Sequence, residues 1–188
     1  MTDLSLQCDC GTLKGTVKGV SPKKGNHVVC YCDDCQAFAQ YVGNEEKWLD
    51  EFGGTDLFQL APSQVEIHQG ADQLRCMRVT PKGVYRFYTA CCHSPIVNTI
   101  SRKMPFAGIP LSALQGEGKE AAVGPVKCYV MGKFAKGTPP TNPHPKFSFA
   151  SLAAVMSFVL KNKIQGNNVP TPFFSDNGHA VVKPDERN

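Results

Sequence analysis

The sequence predicts a mainly β fold of antiparallel sheets, carrying cysteine knuckles and one helix near the C-terminus. Three observations predict it. Short runs that alternate apolar and polar residues recur over the first two-thirds of the chain, separated by turns rich in glycine and proline. Pairs and triples of cysteine stand at the ends of those runs. Helical spacing of apolar residues is clear only over residues 149–160.

Length and composition bound the rest. A chain of 188 residues suffices for one domain with a real core and some appended structure. With 41% hydrophobic and 19% charged residues, it has the balance of a globular protein. The net charge of +4 is scattered and too weak to argue for nucleic acid, though it suits a small anionic ligand. No apolar run approaches the roughly 20 residues of a membrane helix. Residues 1–7 lack the charged and apolar regions of a signal peptide. The expectation is a cytoplasmic protein with neither a membrane nor a nucleic-acid partner. In that reducing compartment, nine cysteines point to metal before disulfides.

The elements follow in order. Cys8-Asp9-Cys10-Gly11 opens the fold, with Gly11 leaving the backbone room to turn. Residues 12–20 alternate and read as a strand, and Ser21-Pro22-Lys23-Lys24-Gly25-Asn26 is a turn. Residues 27–30 read as a second strand, with His27 on its surface rather than in a ligand set. That strand delivers Cys30-Tyr31-Cys32-Asp33-Asp34-Cys35, in which Asp33-Asp34 is predicted to turn. Residues 36–41 suit a helical turn and residues 45–50 a short helix. Residues 57–60 and 64–68 read as strands. Residues 74–79 and 84–88 make a hairpin about Thr80-Pro81-Lys82-Gly83, with Cys76 in the core.

The hairpin runs into Cys91-Cys92-His93-Ser94-Pro95-Ile96. Residues 106–111 and 124–131 suggest two further strands, and residues 138–145 a stiff proline-rich linker. Ser148 is placed to cap a helix whose stripe of Phe149, Leu152, Ala153, Met156, Val159 and Leu160 is expected to pack on its own domain. Residues 165–188 read as an irregular tail. The division is therefore a metal-binding β domain over 5–135, then linker, helix and tail over 136–188.

The chemistry resides in the thiols. Side chains two apart on an extended segment share a face, so Cys30 and Cys32 can grip one ion. Cys35 can then be brought round to join them. Tetrahedral zinc takes four ligands and accepts thiolates readily. Three local thiolates leave one corner for a distant residue, water or a substrate thiol. Cys91 and Cys92 form another pair, far along the chain from Cys8 and Cys10, and small zinc sites are often built from two such pairs. On a regular strand the two neighbours would face opposite ways, a limit that a turn would relax. Cys91 or His93 could instead close the triad. Arg75, Arg78 and Arg86 on the hairpin could bind carboxylates in a bidentate way.

The order of Cys-x-Cys-Gly, Cys-x-Cys-x-x-Cys and a hairpin ending in a cysteine motif with Ser94-Pro95-Ile96 resembles the glutathione-dependent formaldehyde-activating enzyme family. That family includes centromere protein V-like proteins. The resemblance spans roughly residues 5–110, and Arg86-Phe87 fits the approach to the third motif. It implies a β-tent of antiparallel sheets and two zinc ions per chain. One would be structural, on Cys8, Cys10 and the last pair, here Cys91 and Cys92. The other would be catalytic, on Cys30, Cys32 and Cys35. The family's last motif is Cys-x-x-Cys-Gly. Alignment on Ser94-Pro95-Ile96 puts Thr89 on its first cysteine, Cys92 on its second and His93 on its glycine. Cys91 is then the candidate replacement for the lost ligand.

Two functions follow as expectations. One is a carbon–sulfur lyase-like activity, in which a small thiol such as glutathione binds the open zinc and adds to a formaldehyde-like aldehyde. The other is a zinc-stabilised binding module without catalysis, in which the C-terminal helix and linker make the contacts.

Overall fold

A computed structural model describes residues 1–43 and 45–186. The last two residues of the predicted tail, Arg187 and Asn188, lie outside the described residues. Strands β1 (Thr2–Gln7) and β2 (Lys14–Val20) pair antiparallel, flanked by β5 (Val65–Gln69) and by β10 (Leu114–Gln115). Together they form a four-stranded sheet in the order β10-β1-β2-β5. The larger sheet contains β3 (Asn26–Cys30), β4 (Thr55–Leu60), β6 (Leu74–Arg78), β7 (Tyr85–Thr89), β8 (Pro95–Thr99), β9 (Ala107–Pro110), β11 (Cys128–Val130) and β12 (Asp185–Glu186). Its eight strands run in the order β11-β3-β4-β9-β8-β7-β6-β12.

The fold is mainly β, with two sheets and a C-terminal helix. Two pairings depart from the antiparallel expectation. β11 lies parallel to β3 and β12 parallel to β6, each at an edge of the large sheet. These strands return after long excursions of the chain, so no hairpin turn dictates their direction.

The principal core lies between the sheets. Leu4 and Leu6 of β1 and Val17 of β2 face Phe58 and Leu60 of β4, Phe87 of β7, Ile96 and Val97 of β8 and Ile109 of β9. In β1 the alternation is clean, since Leu4 and Leu6 are buried while Asp3 and Ser5 are exposed. Every residue of the central strands β8 and β9 is buried, so their sequences do not alternate.

A second cluster positions the cysteine triad. Helix α1 (Asp33–Val42) buries Phe38, Ala39 and Val42 against Trp48 of the short helix α2 (Glu45–Trp48) and against Met77 and Tyr88 of the large sheet. Gly43 ends α1 in the left-handed region at φ 76°, where a Cβ would be strained. The expected turn at Asp33-Asp34 is the first turn of this helix, and Cys32 is its N-cap residue. Two acids in that turn suit the positive end of the helix dipole, which makes helix a better choice than an isolated turn.

Three other expectations are corrected. His27 is not on the surface. It is buried between Asp56 and Gly124. The tail is anchored, since Phe173 and Phe174 insert into the principal core and their rings contact Phe87 and Tyr85. The last helix exists and Ser148 caps it by accepting from the Ser151 N–H. Its apolar stripe, however, faces outward. In α4 (Phe149–Ile164), Phe149, Leu152, Met156 and Leu160 are exposed while Ser151, Val159 and Asn162 turn inward. The proline-rich segment before it is pinned by backbone bonds from Met131, Gly132 and Lys133 to the carbonyls of Lys146, His144 and Pro145. A short helix, α3 (Lys119–Val123), supplies Ala122 and Val123 to the core.

Candidate metal centres

The first cluster joins the end of β1 to the end of β7. Cys8 lies just beyond β1, and its backbone turns through Gly11, whose N–H donates to the Cys8 carbonyl at 2.9 Å. Gly11 has φ 73°, a conformation that glycine adopts without strain. Across the sheets, residues 90–92 form a turn after β7, with His93 also left-handed at φ 56°. The Thr89 carbonyl accepts the His93 N–H at 2.9 Å and fixes this turn. It resolves the difficulty posed by adjacent cysteines, because Cys91 and Cys92 no longer occupy opposite faces of a strand.

The four sulfurs converge. Cys8 Sγ lies 3.6 Å from Cys10 Sγ and 3.8 Å from Cys91 Sγ. Cys10 to Cys91 is 3.3 Å, and Cys91 to Cys92 is 3.8 Å. All four lie within 4.8 Å of one another. A zinc–sulfur bond of about 2.3 Å implies tetrahedral sulfurs about 3.8 Å apart. A disulfide would need about 2.05 Å. The spacing therefore fits a shared metal ion. Cys91 supplies the fourth sulfur.

The surroundings are mixed: burial holds Cys8 above its ordinary value and pushes Cys91 up to about 12, while hydrogen bonds bring Cys10 and Cys92 down. The Leu13 N–H donates to Cys8 Sγ at 3.2 Å. Thr89 does not ligate, yet it is well used. Its Oγ1 accepts the Ser94 N–H at 3.2 Å and lies 3.5 Å from Cys92 Sγ. Ser94 Oγ accepts the Asp9 N–H at 2.9 Å and lies 3.2 Å from the same sulfur. Both hydroxyls accept from backbone, so their protons are free for Cys92. Burial opposes ionisation of this thiol, but the bonds from Ser94, Thr89 and Cys10 outweigh it and bring its pKa down to about 5. Sequence reasoning assigned no role to Thr89 or Ser94. Their hydroxyls beside a cysteine pair were the available signal.

The second cluster has three sulfurs. Cys30 ends β3, Cys32 caps α1, and Cys35 sits in its first turn. Both Cys35 N–H and Gln36 N–H donate to the Cys32 carbonyl, closing the knuckle. The three sulfurs lie within 4.8 Å of one another. Among the described residues, no fourth cysteine, histidine or carboxylate joins them. Cys91 belongs to the first cluster, and His93 packs edge-on against Tyr88.

Arg86 completes the setting from β7. It is 3% exposed and donates from Nη1 to Cys35 Sγ at 3.6 Å. Hydrogen bonds from Cys30 and Cys32 hold the Cys35 thiol well below its ordinary pKa against the opposing effect of burial, and Arg86 adds to them. The same coupling pushes Cys30 well above its ordinary value. The other two arginines serve local structure. Arg75 donates to the Asp72 and Leu74 carbonyls, and Arg78 donates to Gly83 and lies over the Tyr85 ring. Cys76 is buried in the core, where desolvation pushes its pKa up to about 12.

Fold and sites define a mainly β protein with two cysteine clusters, each able to hold a metal ion. No helix of the described chain is long and apolar enough to cross a membrane. The chain belongs to DUF6151, a family of unknown function, which it matches over residues 2–184. No curated protein matches it. Among solved structures it is similar to a crystal structure of a Rhodobacter sphaeroides protein, with 13% identity and a TM-score of 0.44. That similarity covers 60% of this chain and 88% of the other.

Proposed function

We propose that the protein is a zinc-dependent, carbon–sulfur lyase-like protein that binds a small thiol such as glutathione and adds it to a formaldehyde-like aldehyde. The observation that carries this reading is the contrast between a four-sulfur and a three-sulfur cluster in one chain. Four thiolates fill a tetrahedral zinc and make a structural site, whereas three leave a position open. Thiolate softness selects zinc over the hard cations magnesium and calcium. We read the two sheets as a β-tent, in keeping with the resemblance of the cysteine motifs.

A zinc ion on the triad would offer a thiol one coordination position and lower its pKa. The chain's own residues prepare that position. A divalent ion with three thiolates carries one net negative charge, and a fourth thiolate adds another. Arg86, buried beside Cys35, offsets one of them where water cannot. Its burial in low dielectric makes that compensation stronger than a surface arginine would provide. Elemental analysis should find two zinc ions per chain. In cobalt-substituted protein, glutathione should shift the visible absorption bands of one site. Bands indifferent to glutathione would overturn the thiol reading.

A second reading is favoured by one observation. The outward stripe of Phe149, Leu152, Met156 and Leu160 on α4 is an apolar face without an internal partner among the described residues. Such faces commonly mark protein contacts. Under this reading the metal sites only stabilise an interaction module, and the cobalt experiment separates it from the first.

A further inference from the structure

Beside the triad lies a small cavity lined by Cys35, Phe38, Trp48, Thr55, Arg86 and Asn98, among others. Among the described residues, five buried side-chain polar atoms have no hydrogen-bond partner. Four of them belong to this lining: Trp48 Nε1, Thr55 Oγ1, Arg86 Nε and Asn98 Oδ1. Each of these residues is more than nine-tenths buried, with exposures of 8%, 9%, 3% and 6%. They come from four separate elements, α2, β4, β7 and β8, and Arg86 and Asn98 stand directly opposite each other in the β7–β8 register. An unpartnered buried polar group is costly, by about 1–3 kcal/mol. Four sharing one cavity mark a place built for a polar guest.

Their chemistry states what the guest is. Trp48 Nε1 and Arg86 Nε can only donate, the Thr55 hydroxyl can do either, and Asn98 Oδ1 accepts. The free volume is about 10 Å³, near the minimum that holds one water-sized group. We propose that this cavity is the subsite for the aldehyde oxygen, which favours small aldehydes over bulky ones. The location rests on the cavity itself, while the chemistry rests on the thiol-addition reading above.

The step balances without an oxidant or reductant. A lone pair of the thiol sulfur forms the carbon–sulfur bond. The π pair of the carbonyl moves onto its oxygen. Trp48, Arg86 and Thr55 meet the charge that develops there, as an oxyanion pocket does. The proton that the thiol released to solvent on ionising returns to this oxygen. The resulting hydroxyl accepts from two of the donors through its two lone pairs and donates to Asn98 Oδ1, so the product satisfies three of the four orphaned atoms.

Trp48 is the only tryptophan in the chain, so its fluorescence reports on the cavity directly. The test titrates metal-loaded protein with formamide, in the absence of thiol. Formamide has a one-carbon carbonyl that can accept, N–H groups that can reach Asn98, and no reactivity towards cysteine. The expected result is a saturable change in Trp48 fluorescence. It should weaken at least about tenfold in Thr55→Val and in Asn98→Leu, and persist in Thr55→Ser, which keeps the hydroxyl. Benzamide, too large for the cavity, should give no saturable change. Circular dichroism and metal content establish that each variant is folded. A purely linear response in wild type, unchanged affinity in both weakening variants, or equal binding of benzamide would overturn the subsite. The cobalt response to glutathione is a separate signal, so failure of the thiol reading and failure of the subsite are distinguishable.

Discussion

Arg86 Nη1 sits 3.6 Å from Cys35 Sγ, a buried cation against a buried thiol, joining the large sheet to the first turn of helix α1. Removing one partner of a buried charged pair typically costs about 3–5 kcal/mol, because the other is left uncompensated. Arg86→Met is therefore expected to lower stability by about that much and to weaken metal retention at the triad. Arg75→Met, at an exposed site, should stay within about 0.5 kcal/mol of wild type. Denaturant titration of the two variants side by side checks this.

The four-sulfur cluster ties two sheets together across 83 residues of sequence, from Cys8 to Cys91. A metal bound there contributes its binding free energy to folding. Cys8→Ser should lower the melting temperature and the metal content together. Cys91→Ser and Cys92→Ser, made separately, should each do the same, since each sulfur occupies a corner. A Cys91→Ser protein with full metal content would show that the fourth corner is dispensable.

Cys35→Ser addresses the other cluster. It should remove one metal ion per chain and leave the four-sulfur site loaded. Glutathione should then no longer perturb the cobalt spectrum. The melting temperature should fall less than in Cys8→Ser, because the triad spans one knuckle whereas the first cluster bridges two sheets.

His27 gives a dependence on pH. Burial lowers its pKa, but the hydrogen bond to Asp56, the Gly124 carbonyl and the charge of Asp56 overcome that and hold it above the ordinary 6.5. Both ring nitrogens face acceptors, Gly124 O at 2.7 Å and Asp56 Oδ1 at 2.7 Å, so the imidazolium satisfies both. A raised folded pKa means that this contribution is fully present below about pH 6.5 and fades as pH rises through the folded value. Asp56→Asn should therefore destabilise the protein more at about pH 5.5 than at about pH 9, where His27 is neutral in both proteins. Unfolding curves for the pair at the two pH values provide the measurement.

The end of the chain should matter to the core. Phe173 is 0% exposed and packs 5.1 Å, centroid to centroid, from Phe87. Phe173→Ala is expected to cost about 3–5 kcal/mol through the cavity it leaves. Phe149→Ser, at 89% exposure on α4, should change stability by less than about 0.5 kcal/mol. Comparable losses in the two variants would contradict the packing described.

The sequence by itself determined the class of fold, the cysteine motifs and the capped helix. These are local properties: strand alternation has period two, Ser148 is adjacent to the helix it caps, and Cys30 and Cys32 are fixed within one knuckle. Where the local signal was absent or overridden, the sequence was silent. Strand β8 does not alternate because both of its faces are buried. β1 does alternate, with Leu4 and Leu6 on its buried face, but these six residues at the start of the chain are not among the strands predicted from sequence. Only the tertiary structure decided that Cys91 joins Cys8, Cys10 and Cys92, since that choice depends on a turn placed against a strand some 80 residues earlier. It also decided that Arg86, and neither Arg75 nor Arg78, meets the triad: Arg78 takes the opposite face of the sheet and lies over Tyr85, while Arg75 shares the face of Arg86 but lies exposed farther along the strand, on the Asp72 and Leu74 carbonyls. The exposure of the α4 stripe and the burial of Phe173 were beyond local pattern for the same reason. An apolar residue seeks cover, but which element supplies that cover is set by the geometry of the whole chain.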